Sequence, residues 1–141
     1  MELHWHPYRY LAYERELAVR EARTLLSPES MDVTSRGVKI LNPKQAHRAD
    51  NLVYFAEVVD GAKSVPTLQA RLERGLRTSK RQVTRYASHG LHEYKGRFNP
   101  QVVRAILNIL DVGAAQRVFD PFCGSGTSLV ECTLAGHSAI G

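Results

Sequence analysis

Residues 117–141, RVFDPFCGSGTSLVECTLAGHSAIG, hold the feature that most constrains this chain. A short run from Arg117 to Asp120 reads as a strand and breaks at a glycine turn. A helix from about Thr127 to Leu134 follows, Gly136 stops it, and His137 to Ile140 reads as a second strand. That is a β-turn-α-β unit, the opening move of a doubly wound α/β sheet. The first strand delivers Asp120 to its carboxyl end, where open α/β sheets bind ligands. Gly124 and Gly126 let the backbone bend sharply and approach a bound molecule with no Cβ in the way. The next helix aims its unpaired amides and positive partial charge at the same place.

Spacing separates some readings of such a turn. A phosphate-binding P-loop ends in Gly-Lys-Ser/Thr, whereas Gly126 is followed directly by Thr127. A dinucleotide fingerprint wants glycine or alanine where Leu129 stands. A bare strand-to-helix turn also accounts for the two glycines taken alone. The acid-proline-aromatic lead followed by Gly-Ser-Gly-Thr is more specific. It resembles the cofactor motif of the DNA N4-cytosine and N6-adenine methyltransferases. The resemblance implies that Asp120, Pro121, Phe122, Cys123, Gly124, Ser125, Gly126 and Thr127 surround the methionine end of S-adenosylmethionine. Its amino group would face Asp120, its sulfonium would lie against Phe122, and its carboxylate would meet backbone amides.

The stretch HEYKGRFNPQ, just upstream, looks like a second element of that group, one that folds beside the cofactor. It implies cofactor contacts for Tyr94, Lys95 and Phe98, with Lys95 pairing with the carboxylate. As an alternative, His89 and His92 are polar loop residues and Lys95-Gly96-Arg97 is an exposed turn. The group also carries an Asp/Asn/Ser-Pro-Pro-aromatic motif, which holds the target amine while the aromatic stacks on a flipped base. This sequence contains none, nor a Pro-Cys nucleophile. No catalytic residue is therefore assigned, and the acid that holds the ribose would fall just past Gly141. The expectation is an N-terminal piece that does not methylate alone: a fragment, a truncated product or one subunit of a split enzyme. Double-stranded DNA would be the partner of the complete enzyme, with a separate catalytic chain as a further partner. An RNA guanine-N2 methyltransferase, which shares the Asp-Pro-Phe-Cys-Gly turn, is the first rival, and a non-catalytic assembly subunit is the second.

Upstream, Tyr8 to Leu26 shows a helical period in Tyr10, Leu11, Leu17, Ala18, Ala22 and Leu25. Glu14 and Glu21 interrupt that apolar side, Glu16 with Arg20 offers an i,i+4 ion pair, and Ser27-Pro28 ends the helix. Gly37 to Leu41 suits a strand. Asn42-Pro43 and Gln45 read as the cap of a helix with a stripe of Leu52, Phe55, Ala56 and Val59, ended by Gly61. Pro66 to Gly75 reads as another helix. Asn99-Pro100 caps one with an i, i+3, i+4, i+7 stripe of Val103, Ile106, Leu107 and Leu110. The fold expected is α/β: a helical N-terminal region, 1–88, then, by the resemblance, 89–141 as the incomplete start of a Rossmann-like methyltransferase sheet.

Bulk properties agree with a soluble cytoplasmic nucleic-acid protein. Hydrophobic residues make up 43% and charged residues 23%, enough for a packed core. A net charge of +5 and a pI of about 9.5 tilt the chain toward acidic partners. Arg71, Arg74, Arg77, Lys80, Arg81 and Arg85 concentrate that charge; a solvated face explains each better than a phosphate contact. Two cysteines, Cys123 and Cys132, make no disulfide framework. No apolar run approaches a membrane span. His4 with His6, or His89 with His92, lacks further ligands at zinc spacing, so no metal is expected. Trp5 and its neighbouring tyrosines read as packing residues.

Overall fold

The computed structural model describes residues 1–76, 82–91, 96, 98–113 and 115–141. Its N-terminal part is built on strands. These are β1 (Glu2–Trp5), β2 (Ser30–Val33), β3 (Gly37–Leu41), β4 (Phe55–Asp60) and β5 (Lys63–Pro66), with α1 (Ala12–Leu26) after β1. Among the described residues they form one antiparallel sheet in the order β2-β3-β1-β4-β5. The helical N-terminal region expected over 1–88 is therefore corrected to a sheet covered by α1. Its core gathers Leu3, Ala18, Ala22, Leu25, Leu26, Val38, Ile40 and Leu52 to Phe55, and Ala105 joins from further along the chain.

The physical reason for the miss is visible in β4. Leu52, Phe55, Ala56 and Val59 fit a helical stripe, but 55–60 also contains Phe55, Val58 and Val59, residues that suit a pleated strand. Long-range pairing decides between the two, with Leu3 opposite Val58 and His4 opposite Glu57. Gly61, expected as a helix stop, instead turns the β4–β5 hairpin at φ +59°, a conformation glycine adopts without strain. Asn42 caps no α-helix. It sits at φ +46° and its amide donates to Glu29 at 2.7 Å, ahead of a 3-10 segment over Ala46–Asn51. Gly37 is required by contact: a Cβ there would overlap the Leu3 carbonyl oxygen of the paired strand.

α1 follows its periodicity but starts later than expected, at Ala12. Its two interrupting acids both have work to do. Glu14 accepts from the Leu11 N–H at 2.7 Å and so caps the helix start. Glu21 is fully buried and receives the Val53 N–H at 3.0 Å and the Asn108 amide at 2.6 Å. Glu16 and Arg20 form the expected exposed pair. Trp5 stacks on Phe55 at 4.6 Å, a packing role as read from the sequence.

The later elements are α2 (Leu68–Leu72), α3 (Pro100–Ile109), β6 (Arg117–Phe119), α4 (Thr127–Leu134) and β7 (Ser138–Ile140). Thr67 caps α2 and Asn99 caps α3, whose first residue is Pro100. β6 and β7 pair in parallel through α4, the β-α-β unit the glycine turn implied. α3 lies between the two halves, packed on α1 and on α4. Among the described residues no helix is long and apolar enough to cross a membrane.

Candidate functional site

β6 is three residues long and ends at Phe119, so Asp120 stands where the strand gives way to the turn. Its N–H still donates to the Ile140 carbonyl at 2.9 Å, which ties the mouth of the turn to β7. One carboxylate oxygen, Oδ1, accepts from the Phe122 N–H at 3.1 Å. This local bond fixes the direction of the acid and closes the first bend.

The second bend is closed by the Gly126 N–H on the Cys123 carbonyl at 2.8 Å. Gly124 and Gly126 lie at φ +53° and +76°, the left-handed region where side chains are strained. Gly126 is the N-cap of α4, and its open surroundings would leave a Cβ in free space. The glycine therefore answers a conformational need there rather than a shortage of room. Gly141 is the opposite case: a Cβ would come within 2.8 Å of the Cys123 Cβ and 2.9 Å of the Asp120 carbonyl oxygen. Sequence reasoning passed over Gly141, since nothing local to it signals a neighbour twenty residues back.

Phe122 is 93% exposed, its ring standing free on the turn. Below the turn an apolar cleft of about 280 Å³ opens between α3, β6 and α4, lined by Phe98, Val102, Phe119, Asp120, Ser128 and Cys132 among others. Asp120 and Phe98, expected to share a site, thus border one cavity. Thr127 is buried at the start of α4, and Ser125 Oγ lies 3.5 Å from its hydroxyl. Cys123 is half-buried and free, while burial beside Glu131 raises the Cys132 thiol above its usual range. Tyr94 and Lys95, together with His92, Arg97, Arg77, Lys80 and Arg81, lie outside the described residues.

The basic run is only partly visible. Arg71 is engaged by Asp50 through two bonds of 2.7 and 2.9 Å and by the Pro66 carbonyl. Of the histidines weighed as ligands, the three described ones have carboxylate or aromatic neighbours. His4 meets Glu57 at 2.8 Å, His6 stacks on Tyr8, and His89 meets Glu131 at 2.7 Å. Among the described residues no three His, Cys, Asp or Glu side chains gather as a metal would need.

Sequence reasoning missed a buried polar cluster behind the turn. Glu131 on α4 is fully buried, and its Oε1 receives the Tyr86 hydroxyl at 2.9 Å as well as facing His89. Its Oε2 lies 3.2 Å from Arg104 Nε, a close ion pair that misses hydrogen-bond alignment. Arg104 also donates to the Gln69 side chain, which donates to Glu73 at 2.7 Å. Burial, with Glu131 alongside, lifts the Tyr86 phenol well above its ordinary range. A charged residue in each of two amphipathic helices was the only signal available, and on the surface such residues are ordinary.

Comparison with known proteins bears on this part of the chain. Residues 90–141 match the family model described as RMKL-like, methyltransferase domain. The Type II methyltransferase M.MjaII of Methanocaldococcus jannaschii is 46% identical over 57 residues, which are 38% of this chain and 10% of that protein. The tRNA (guanine(10)-N2)-dimethyltransferase of Methanothermobacter thermautotrophicus is 40% identical over 48 residues, 34% of this chain and 14% of that protein. The chain thus spans a small part of the length of these relatives. No solved structure matches it. A mixed α/β chain carrying a stretch similar to a methyltransferase domain is the class these findings support.

Proposed function

We propose that the turn from Asp120 to Thr127 is the S-adenosylmethionine cradle of a nucleic-acid amino-methyltransferase, at the start of a Rossmann-like sheet. The observation that carries the reading is an acid at the end of β6, an exposed aromatic ring two residues on, and two left-handed glycines that lead from the ring into a helix N-terminus. These groups suit the cofactor's methionine end. A carboxylate holds an ammonium group, amides at a helix start attract a carboxylate, and a ring face attracts a sulfonium as it would any cation. An apolar cleft beside Phe98 and Phe119 opens at the same corner. Bound there, the cofactor would supply an electrophilic methyl group; this chain's part is to fix its amino-acid end. Tyr94 and Lys95 belong to the proposal on sequence grounds, with Lys95 as a second partner for the carboxylate.

The acceptor proposed is the exocyclic amine of cytosine or adenine in DNA, in a restriction-modification setting. The Gly-Ser-Gly-Thr ending and the 46% identity to a type II methyltransferase support it. The identity to a tRNA guanine-N2 enzyme supports a second reading, in which the amine belongs to guanine in RNA. The groups that hold the acceptor base would come from further sequence or a separate catalytic chain. The cytoplasm is the proposed setting. Calorimetric titration of the chain with S-adenosylmethionine tests the central claim. Saturable binding that Asp120→Ala weakens by about tenfold or more, the value of one hydrogen bond to a charged group, is expected. Equal affinity in the variant would reduce the turn to a connection.

A further inference from the structure

We propose that Glu131, together with Tyr86, His89 and Arg104, is a positioning cluster that holds α4 and its glycine turn in binding geometry against the N-terminal sheet. Glu131 stands one helical turn past Thr127, so whatever fixes its carboxylate fixes the tilt of the helix start. Its fixing groups come from two other segments, His89 from the 3-10 turn Ala87–Gly90 with Tyr86 as its N-cap, and Arg104 from α3. Arg104 extends the chain of contacts to Gln69 in the first turn of α2 and through it to Glu73 at the C-cap, and α2 packs on β4 of the sheet. One carboxylate therefore links the cofactor helix to the N-terminal unit.

Burying a carboxylate and a guanidinium costs several kcal/mol per ion before their attraction is counted. A leucine pair would pack the same space with no such penalty, so stability alone is a poor reason for the cluster. Direction is a better one. An apolar contact tolerates a sliding or rotating helix, whereas two donors converging on Oε1 and a cation beside Oε2 permit a single setting. α4 also packs on α3 and β7, but of its eight residues only Thr127, Glu131 and Cys132 are buried.

The cofactor arm of the test rests on the function proposed above, but the exchange arm does not. Tyr86→Phe removes one hydroxyl and keeps the ring; Glu131→Gln keeps the shape and removes the charge. Amide exchange is read in the full chain at Gly126 and Val130, which bond to Cys123 and Gly126 carbonyls at 2.8 and 3.0 Å. Trp5 and Ile40, bonded within the sheet at 3.0 and 2.9 Å, serve as the reference. Both variants are expected to exchange about tenfold faster at Gly126 and Val130 with the sheet amides unchanged. If Glu131→Gln unfolds the whole chain, all four amides accelerate in it and Tyr86→Phe decides. Equal acceleration at all four amides in Tyr86→Phe, or none, overturns the proposal. Affinity for S-adenosylmethionine should fall about tenfold in Tyr86→Phe; an unchanged affinity overturns the role in binding geometry. A parent chain that shows the exchange contrast yet fails to bind the cofactor removes the methyltransferase reading and leaves the positioning cluster standing.

Discussion

The two halves of this molecule bury their apolar residues to very different degrees. The antiparallel sheet and α1 enclose a core in which Leu3, Leu25, Leu52 and Phe55 are all fully hidden. In the β6-α4-β7 unit, Phe119 is 69% and Ile140 49% exposed, and the unit's best-buried residues include a carboxylate. The first half encloses a core, its stability coming from area removed from water. The second is a glycine turn mounted on a two-stranded ribbon, the kind of element that is marginal without further packing. The lesson is that fold stability and the candidate chemistry live in different parts of one short chain. α3 and the Glu131 cluster connect them.

The contrast makes its largest prediction at paired truncations. Leu25→Ala, in the closed core, should lower the unfolding free energy by roughly 2–5 kcal/mol, the usual cost of a buried leucine. Phe119→Ala removes a larger side chain and should change it by no more than about 0.5 kcal/mol, as for surface positions. Chemical denaturation followed by far-ultraviolet circular dichroism measures both. Comparable losses in the two variants would mean that the second half is as enclosed as the first.

A second effect comes from Glu21, where α1 meets α3. Burial is the largest influence on this carboxyl and raises its pKa from 4.5 to about 7, against hydrogen bonds from Asn108 and Val53 that lower it. The folded state therefore binds the proton more tightly than the unfolded chain. Its contribution to stability is fully present below pH 4.5 and is lost as pH rises through about 7, by roughly 3 kcal/mol in all. Glu21→Gln should flatten that part of the stability profile between pH 4.5 and 7. A parent and variant with parallel profiles across this window would contradict the assignment.

How much of this could be read in the sequence follows the same division. The β-turn-α-β unit was legible almost to the residue, because its signals are local: glycines at a bend, Asp120 before it and a stop at Gly136. The cap and existence of α3 were legible from Asn99-Pro100 for the same reason, but its buried face was not: Ile106 and Leu110 of the apolar stripe are exposed, whereas Gln101, Arg104 and Asn108 are buried. The sheet was not. Glu2–Trp5 and Ser30–Val33 are too short to show a period, and β4 carries a pattern that fits a helix as well as a strand. Pairing with residues fifty or more positions away, in β1, resolves it. Around the site, Asp120, Phe122 and the glycines announced themselves by motif. Glu131 and Arg104 did not, since burial of a charge is a tertiary fact. Gly141 was equally silent, because its requirement comes from Cys123 across the turn.

The smallest predicted effect probes the boundary between the halves most directly. Gly61 and Gly126 share a backbone state, φ +59° and +76°, and a Cβ at either would meet nothing within 4 Å. Alanine at each position therefore carries the same local strain, about 1 kcal/mol, with no clash to confuse it. In the β4–β5 hairpin the strain is coupled to a closed core, so Gly61→Ala should lower the global unfolding free energy by about that amount. At the start of α4 it should be relieved by opening the turn alone. Gly126→Ala should then leave the global transition unmoved and speed amide exchange at Val130, whose N–H bonds to the Gly126 carbonyl, about fivefold. If both alanines shift the global transition equally, the turn unfolds only with the sheet, and the two halves are one cooperative unit.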